Sequence, residues 1–151
     1  MRSGYRPTWF LLILLLLSRA SAVSAPSEPI TSIEAEVKIA DGYVASGELR
    51  EARAALERIQ AQLQPMTAAG TRALVLARLG GVLGQIGEDE HATDLLDQAI
   101  ALADTTADDG LKASALNDLG NVQLRADPVT ALVSFTTSAA LAQQAGRPIL
   151  R

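Results

Sequence analysis

Leu79-Gly80-Gly81-Val82-Leu83-Gly84-Gln85-Ile86-Gly87-Glu88-Asp89-Glu90-His91-Ala92, followed by Leu96 and Ala99, decides the fold because its pattern occurs three times. An earlier copy reads Ile39-Ala40-Asp41-Gly42-Tyr43-Val44-Ala45-Ser46-Gly47-Glu48-Leu49-Arg50-Glu51-Ala52, then Leu56 and Ile59. A later copy reads Leu119-Gly120-Asn121-Val122-Gln123-Leu124-Arg125-Ala126-Asp127-Pro128-Val129-Thr130-Ala131, then Phe135 and Ser138. Gly47 to Gly87 and Ala52 to Ala92 are each 40 positions, and Ala92 to Ala131 is 39, the third inter-helix turn being one residue shorter. A period of this size holds two long helices and two turns.

The residues within each copy have physical roles that agree with one another. Gly80 and Gly120 lack a Cβ and let a neighbouring helix approach. Ala52, Ala92 and Ala131 are small for the same reason, and Leu56, Leu96 and Phe135 fill the gap between helices. Gly47 and Gly87 can take the left-handed backbone that ends a helix. In the third copy Asp127 takes over as N-cap, with Pro128 at the first helical position. Ser32 with Ala35-Glu36 offers the first helix start. Apolar residues make up 48% of the chain and aromatics only 3%, and the apolar content is mainly Ala and Leu, which favour helix. Leu49, Ala52, Leu56, Ile59 and Leu63 share one face at helical period. The spacing predicts helices near 31–46, 49–64, 70–86, 89–104, 110–125 and 128–145. Pro65-Met66 and Thr105-Thr106-Ala107-Asp108-Asp109-Gly110 separate the pairs.

This pattern resembles the tetratricopeptide repeat, whose hairpin carries an apolar-Gly pair in its first helix, a Gly-rich turn, and a small Ala opening its second. The second copy supplies Leu79, Gly80, Leu83, Gly87, Ala92, Leu96 and Ala99. The third supplies Leu119, Gly120, Ala131 and Phe135. The first has Tyr43, Gly47, Ala52 and Leu56, with Ala40 in place of Gly. The match covers about residues 33 to 145. It departs from the family in lacking the Trp and the closing Pro, where Asp104 stands, and in exceeding the usual period of about 34 residues. The resemblance implies an all-α fold, an α-solenoid of about three antiparallel hairpins over 32–66, 70–105 and 110–146, within a repeat domain at 32–148.

The first 22 residues read as an address. Arg2 and Arg6 precede an unbroken apolar run, Phe10 to Leu17, and Ala20-Ser21-Ala22-Val23-Ser24-Ala25 follows it. This is the order of a secretory signal peptide, and the run is shorter than the roughly 20 residues a membrane-spanning helix needs. Cleavage is expected after Ala22, with Ala25 as the competing site, leaving residues 23–31 as a linker and an exported, periplasmic or extracellular protein. The alternative is an uncleaved anchor with Arg2 and Arg6 in the cytoplasm. Loss of residues 1–22 takes away three arginines and leaves ten basic residues against 17 acids, a charge of −7. An acidic chain without basic clusters argues against nucleic acid and anionic membrane as partners.

The remaining residue types argue against chemistry. There is no cysteine, so no disulfide, thiolate metal site or catalytic thiol. His91 is the single histidine and sits among acids at a helix start, where solvated surface is the expected role, since zinc takes three or four ligands. Asp108-Asp109-Gly110 lacks the rest of a calcium loop. Gly80-Gly81-Val82-Leu83-Gly84 lacks the strand and the Lys-Ser/Thr of a phosphate loop. No catalytic, metal or cofactor site is expected.

The expected function is a scaffold for protein–protein interaction, with a peptide or helix held in a groove lined by the first helices of the hairpins. Arg78, Gln85, Asn117, Asn121 and Arg125 are the candidate partner-binding residues. After the break at Gly146-Arg147-Pro148, Ile149-Leu150-Arg151 reads as the start of a further repeat, with no polar cap for the last hairpin. The reading favours a chain that continues, over a last hairpin covered by a partner or by self-association. The alternative function follows from resemblance: exported proteins with such repeats resemble those carrying a C-terminal CHAT-type peptidase domain, which these residues do not contain.

Overall fold

The computed structural model describes residues 32–65 and 67–146. The address segment, both cleavage sites, the linker and Ile149-Leu150-Arg151 lie outside them. Among the described residues all regular structure is helical: α1 Ile33–Ala45, α2 Leu49–Gln62, α3 Ala69–Ile86, α4 Asp89–Thr106, α5 Asp109–Gln123 and α6 Pro128–Gln144. Every helix end falls within two residues of the expected span. None of these helices is long and apolar enough to cross a membrane.

The helix boundaries follow from local chemistry. Ser32 accepts a hydrogen bond from Ala35 N–H and caps α1. Gly47 and Gly87 take positive φ, 78° and 97°, where an L-residue with a Cβ is strained. Asp127 accepts from the Val129 and Thr130 N–H groups, and Pro128 opens α6. One boundary differs from expectation. Residues 105–110 were expected to separate two hairpins, but α4 runs on to Thr106 and α5 begins at Asp109. The break shrinks to Ala107-Asp108 because Ala107, not a glycine, adopts the left-handed conformation at φ 51°. Asp108 then caps α5 by accepting from Leu111 N–H at 2.9 Å, which places Asp109 and Gly110 inside the helix.

Each helix packs on its neighbour in sequence, and α1 also packs on α3 and α3 on α5. The sequence period reappears in the core. Ala52, Ala55, Leu56 and Ile59 of α2 are buried, and so are Ala92, Leu95, Leu96 and Ala99 of α4, each 40 residues further on. In α6 the corresponding residues are Ala131, Ser134, Phe135 and Ser138. There Ala131 and both serines are buried while Phe135 is half-buried. Close approach replaces bulk where glycine stands. A Cβ on Gly80 would lie 2.7 Å from Leu96 Cγ, and one on Gly120 would lie 2.6 Å from Phe135 Cε1. Each large side chain thus rests on the bare backbone of the partner helix. Burying such a leucine contributes roughly 1.5–3 kcal/mol.

Candidate functional site

The side chains that follow one another along α1, α3 and α5 meet at a fixed register. Lys38, Arg78 and Asp118 stand 40 residues apart, as do Asp41, Gly81 and Asn121. Arg78 of α3 reaches back to Asp41 of α1, with Nε 3.0 Å from Oδ1. The N–H is not aligned on that oxygen, so the contact is an ion pair and not a hydrogen bond. One junction later Asp118 of α5 reaches back over Gly81 of α3, and its Oδ2 occupies the space a Cβ there would need. Asp41, Arg78 and Asp118 therefore form a line of alternating charge across three helices.

Asp118 is the most perturbed ionisable group of this face. Burial pushes its carboxyl up to about 6, against the opposing pull of the Arg78 charge and the Asn117 side-chain amide. It lines a cleft of about 170 Å³ between α3 and α5, together with Gly81, Gly84, Gln85, Asn121, Val122 and Arg125. The absence of side chains at Gly81 and Gly84 opens the cleft on the α3 side. Val122 partly fills it, lying 2.6 Å from where a Cβ on Gly84 would stand.

The five residues singled out in the sequence have different positions here. Gln85, Asn121 and Arg125 come together at the cleft. Gln85 and Asn121 are exposed, and their side chains make no hydrogen bond to other described residues. Arg125 is engaged within the molecule. Its Nε donates to Asp89 Oδ2 at 3.0 Å, its Nη2 donates to the other Asp89 oxygen, and Nη2 also reaches the Gly84 carbonyl at 2.9 Å. That carbonyl belongs to the last turn of α3, where a cation is favoured by the helix dipole. The hydrogen bond from Arg125 holds the Asp89 carboxyl below its ordinary value. Arg78 is engaged with Asp41, and Asn117 lies beside the cleft, adjacent to Asp118. The polar groups left for a ligand are thus Gln85, Asn121 and Asp118.

Asp118 escaped the sequence reading although its signal was present. An acid stands at the register that holds Lys38 and Arg78 in the earlier copies, opposite a glycine one helix back. Elsewhere, a larger depression of about 400 Å³ over Glu88, Asp89, Glu90, His91 and Asp94 is wide open to solvent. No group of three or more potential metal ligands converges among the described residues.

Comparison with family models, with curated proteins and with solved structures gives no match.

Proposed function

We propose that the six helices form three tetratricopeptide-like hairpins stacked as an α-solenoid, and that the chain is an exported binding module for a protein partner. Its partner presents an extended or helical peptide to the face shared by α1, α3 and α5. A lysine or arginine of that peptide enters the α3–α5 cleft and pairs with Asp118. Gln85 and Asn121 hydrogen-bond the peptide backbone alongside. Packing of α1 on α3 and of α3 on α5, beyond the sequential pairs, supports the stacked arrangement.

The observation that carries the binding reading is Asp118 itself. A carboxylate that lines the cleft, and that burial has pushed to about 6 against the pull of the Arg78 charge and the Asn117 amide, gains from a second cation in that cleft. Peptide arrays that vary charge at one position test this, with the chain as the soluble probe. Capture of Lys- or Arg-bearing peptides, lost in Asp118→Asn and weakened in Gln85→Ala/Asn121→Ala, is expected. Equal capture by Asp118→Asn, or a preference for acidic peptides, would sink the reading.

A further inference from the structure

The second junction of the repeat closes an ion pair that the first leaves open. Lys112 of α5 meets Asp104 of α4, with Nζ 2.5 Å from Oδ1. Forty positions earlier the same two places hold Arg72 of α3 and Gln64, just past the end of α2. The register is fixed by Ala73, Leu76 and Leu79, which stand 40 positions before Ala113, Leu116 and Leu119. The cation is kept, and its acid has become a neutral amide.

No other described acid makes good the loss. Arg53, Arg78, Lys112 and Arg125 each meet an acid. Of the other described cations, Lys38, Arg50 and Arg58 are exposed and Arg72 is half-buried. Glu34 of α1 reaches this end of α3, but it accepts from Thr71 Oγ1 at 3.3 Å and forms no ion pair with Arg72. A half-buried guanidinium has given up part of its water, and without an acid that cost stands uncompensated.

Arg72 lines a recess of about 450 Å³ where α2, α3 and α4 come together. The volume is that of a small-molecule site. Gln60, Gln64 and Gln98 bring primary amides to its wall, and none of their side chains hydrogen-bonds another described residue. Leu63, Pro65 and Leu76 supply its apolar part. No acid lines it, in a chain that carries 17. Its edge is fixed in advance: Gln64 N–H donates to Thr67 Oγ1 and Thr67 N–H to the Gln64 carbonyl, each at 2.9 Å. The lining selects an anion with an apolar part. The planar fork of an arginine matches both oxygens of a carboxylate, and amide N–H groups serve the lone pairs that remain.

We propose that this recess binds a carboxylate borne on a short apolar chain, which pairs with Arg72 as Asp104 pairs with Lys112. The site does not depend on the peptide-binding reading of the α3–α5 cleft. A free organic acid and the C-terminus of a peptide both carry this chemistry. Calorimetric titration of the chain with isovalerate and with alanyl-alanyl-leucine tests it, with isovaleramide and inorganic phosphate as controls. At least one of the two acids is expected to bind with a Kd below about 5 mM, and the amide and phosphate at least about tenfold more weakly. Arg72→Gln should weaken the acid at least about tenfold. Gln64→Asp should do the same by the opposite route, because it gives Arg72 the acid that the second junction has. Far-UV circular dichroism checks that these substitutions, both outside the buried core, leave the helices intact. Tighter binding of the tripeptide assigns the site to a chain terminus, and equal or tighter binding of isovalerate assigns it to a free acid. The proposal is overturned if neither acid binds, if the amide or phosphate binds as well as the acids, or if either folded variant binds as the wild type does.

Discussion

Asp118 Oδ2 stands 2.9 Å from the point where a β-carbon on Gly81 would lie, so the carboxylate of α5 rests directly on the backbone of α3. The same register one junction earlier brings Arg78 to Asp41. The repeat thus conserves a meeting point between successive helices and changes the chemistry placed there. At the first junction the two charges neutralise each other. At the second the bare glycine admits an acid whose burial the Arg78 charge and the Asn117 amide offset only in part.

That geometry has a pH signature. The Asp118 carboxyl moves from its ordinary 3.8 to about 6 on folding, so the folded chain binds this proton more tightly than the unfolded chain. Ionised Asp118 therefore opposes folding. Its cost is full above about pH 6, fades as pH falls through that value, and is gone below 3.8. Asp118→Asn is expected to stabilise the chain by about 2–3 kcal/mol near neutral pH and by little at about pH 4. Urea midpoints of both proteins across this range measure the difference, in which the other carboxylates cancel. Parallel curves would show that Asp118 titrates as a solvated acid.

Two helical glycines should respond to alanine in opposite directions. Gly42 has nothing within 4 Å of the added methyl. Gly42→Ala should raise stability by about 0.5–1 kcal/mol through backbone entropy alone. At Gly120 the methyl would meet three carbons of the Phe135 ring within 3 Å, and a rigid ring must shift as a body. Gly120→Ala should lower stability by about 1–2 kcal/mol, overpacking outweighing the helix gain. Thermal unfolding of the pair decides this, and stabilisation by both would mean that Phe135 is held loosely.

These glycines also mark the limit of what the sequence disclosed. Gly80 and Gly120 stood in one alignable place, and their close contacts with Leu96 and Phe135 follow from the repeat. Helix ends were legible wherever a residue with one dominant role marked them, as at Ser32, Gly87 and Pro128. Ala107 was not, because left-handed alanine is uncommon and nothing local announces it. The five candidate side chains are polar residues on α3 and α5 or just past the end of α5. Sequence spacing could put them on one side but could not show that Asp89 and Asp41 already engage Arg125 and Arg78. Asp118 stands in the sequence as an acid at the register of Lys38 and Arg78, but its burial over Gly81 follows only from the packing of α5 on α3.

The Arg125–Asp89 pair is exposed, so its contribution should depend on salt. Arg125→Ala is expected to lower the unfolding midpoint, and to lower it less in an Asp89→Ala background. The residual effect in that background reports the bond to the Gly84 carbonyl. Coupling between the two sites, from a double-mutant cycle, should shrink as ionic strength rises. Coupling that is unchanged in high salt would mean that packing, and not charge, links them.

Helix α6 should open before α4. α4 buries Leu95, Leu96, Ala99 and Ala103, whereas the core side of α6 buries Ala131, Ser134 and Ser138 and leaves Phe135 half-exposed. Less apolar surface leaves water when α6 docks, and the free energy needed to undock it is correspondingly smaller. Its two buried hydroxyls do not make up the difference, because a hydrogen bond exchanged with water contributes only about 0.5–1.5 kcal/mol. Native-state hydrogen exchange should therefore show α6 amides exchanging through a lower-energy opening than those of α3 and α4. Equal protection of α4 and α6 would show that the contact of Phe135 with Gly120 anchors the helix more strongly than its buried surface implies.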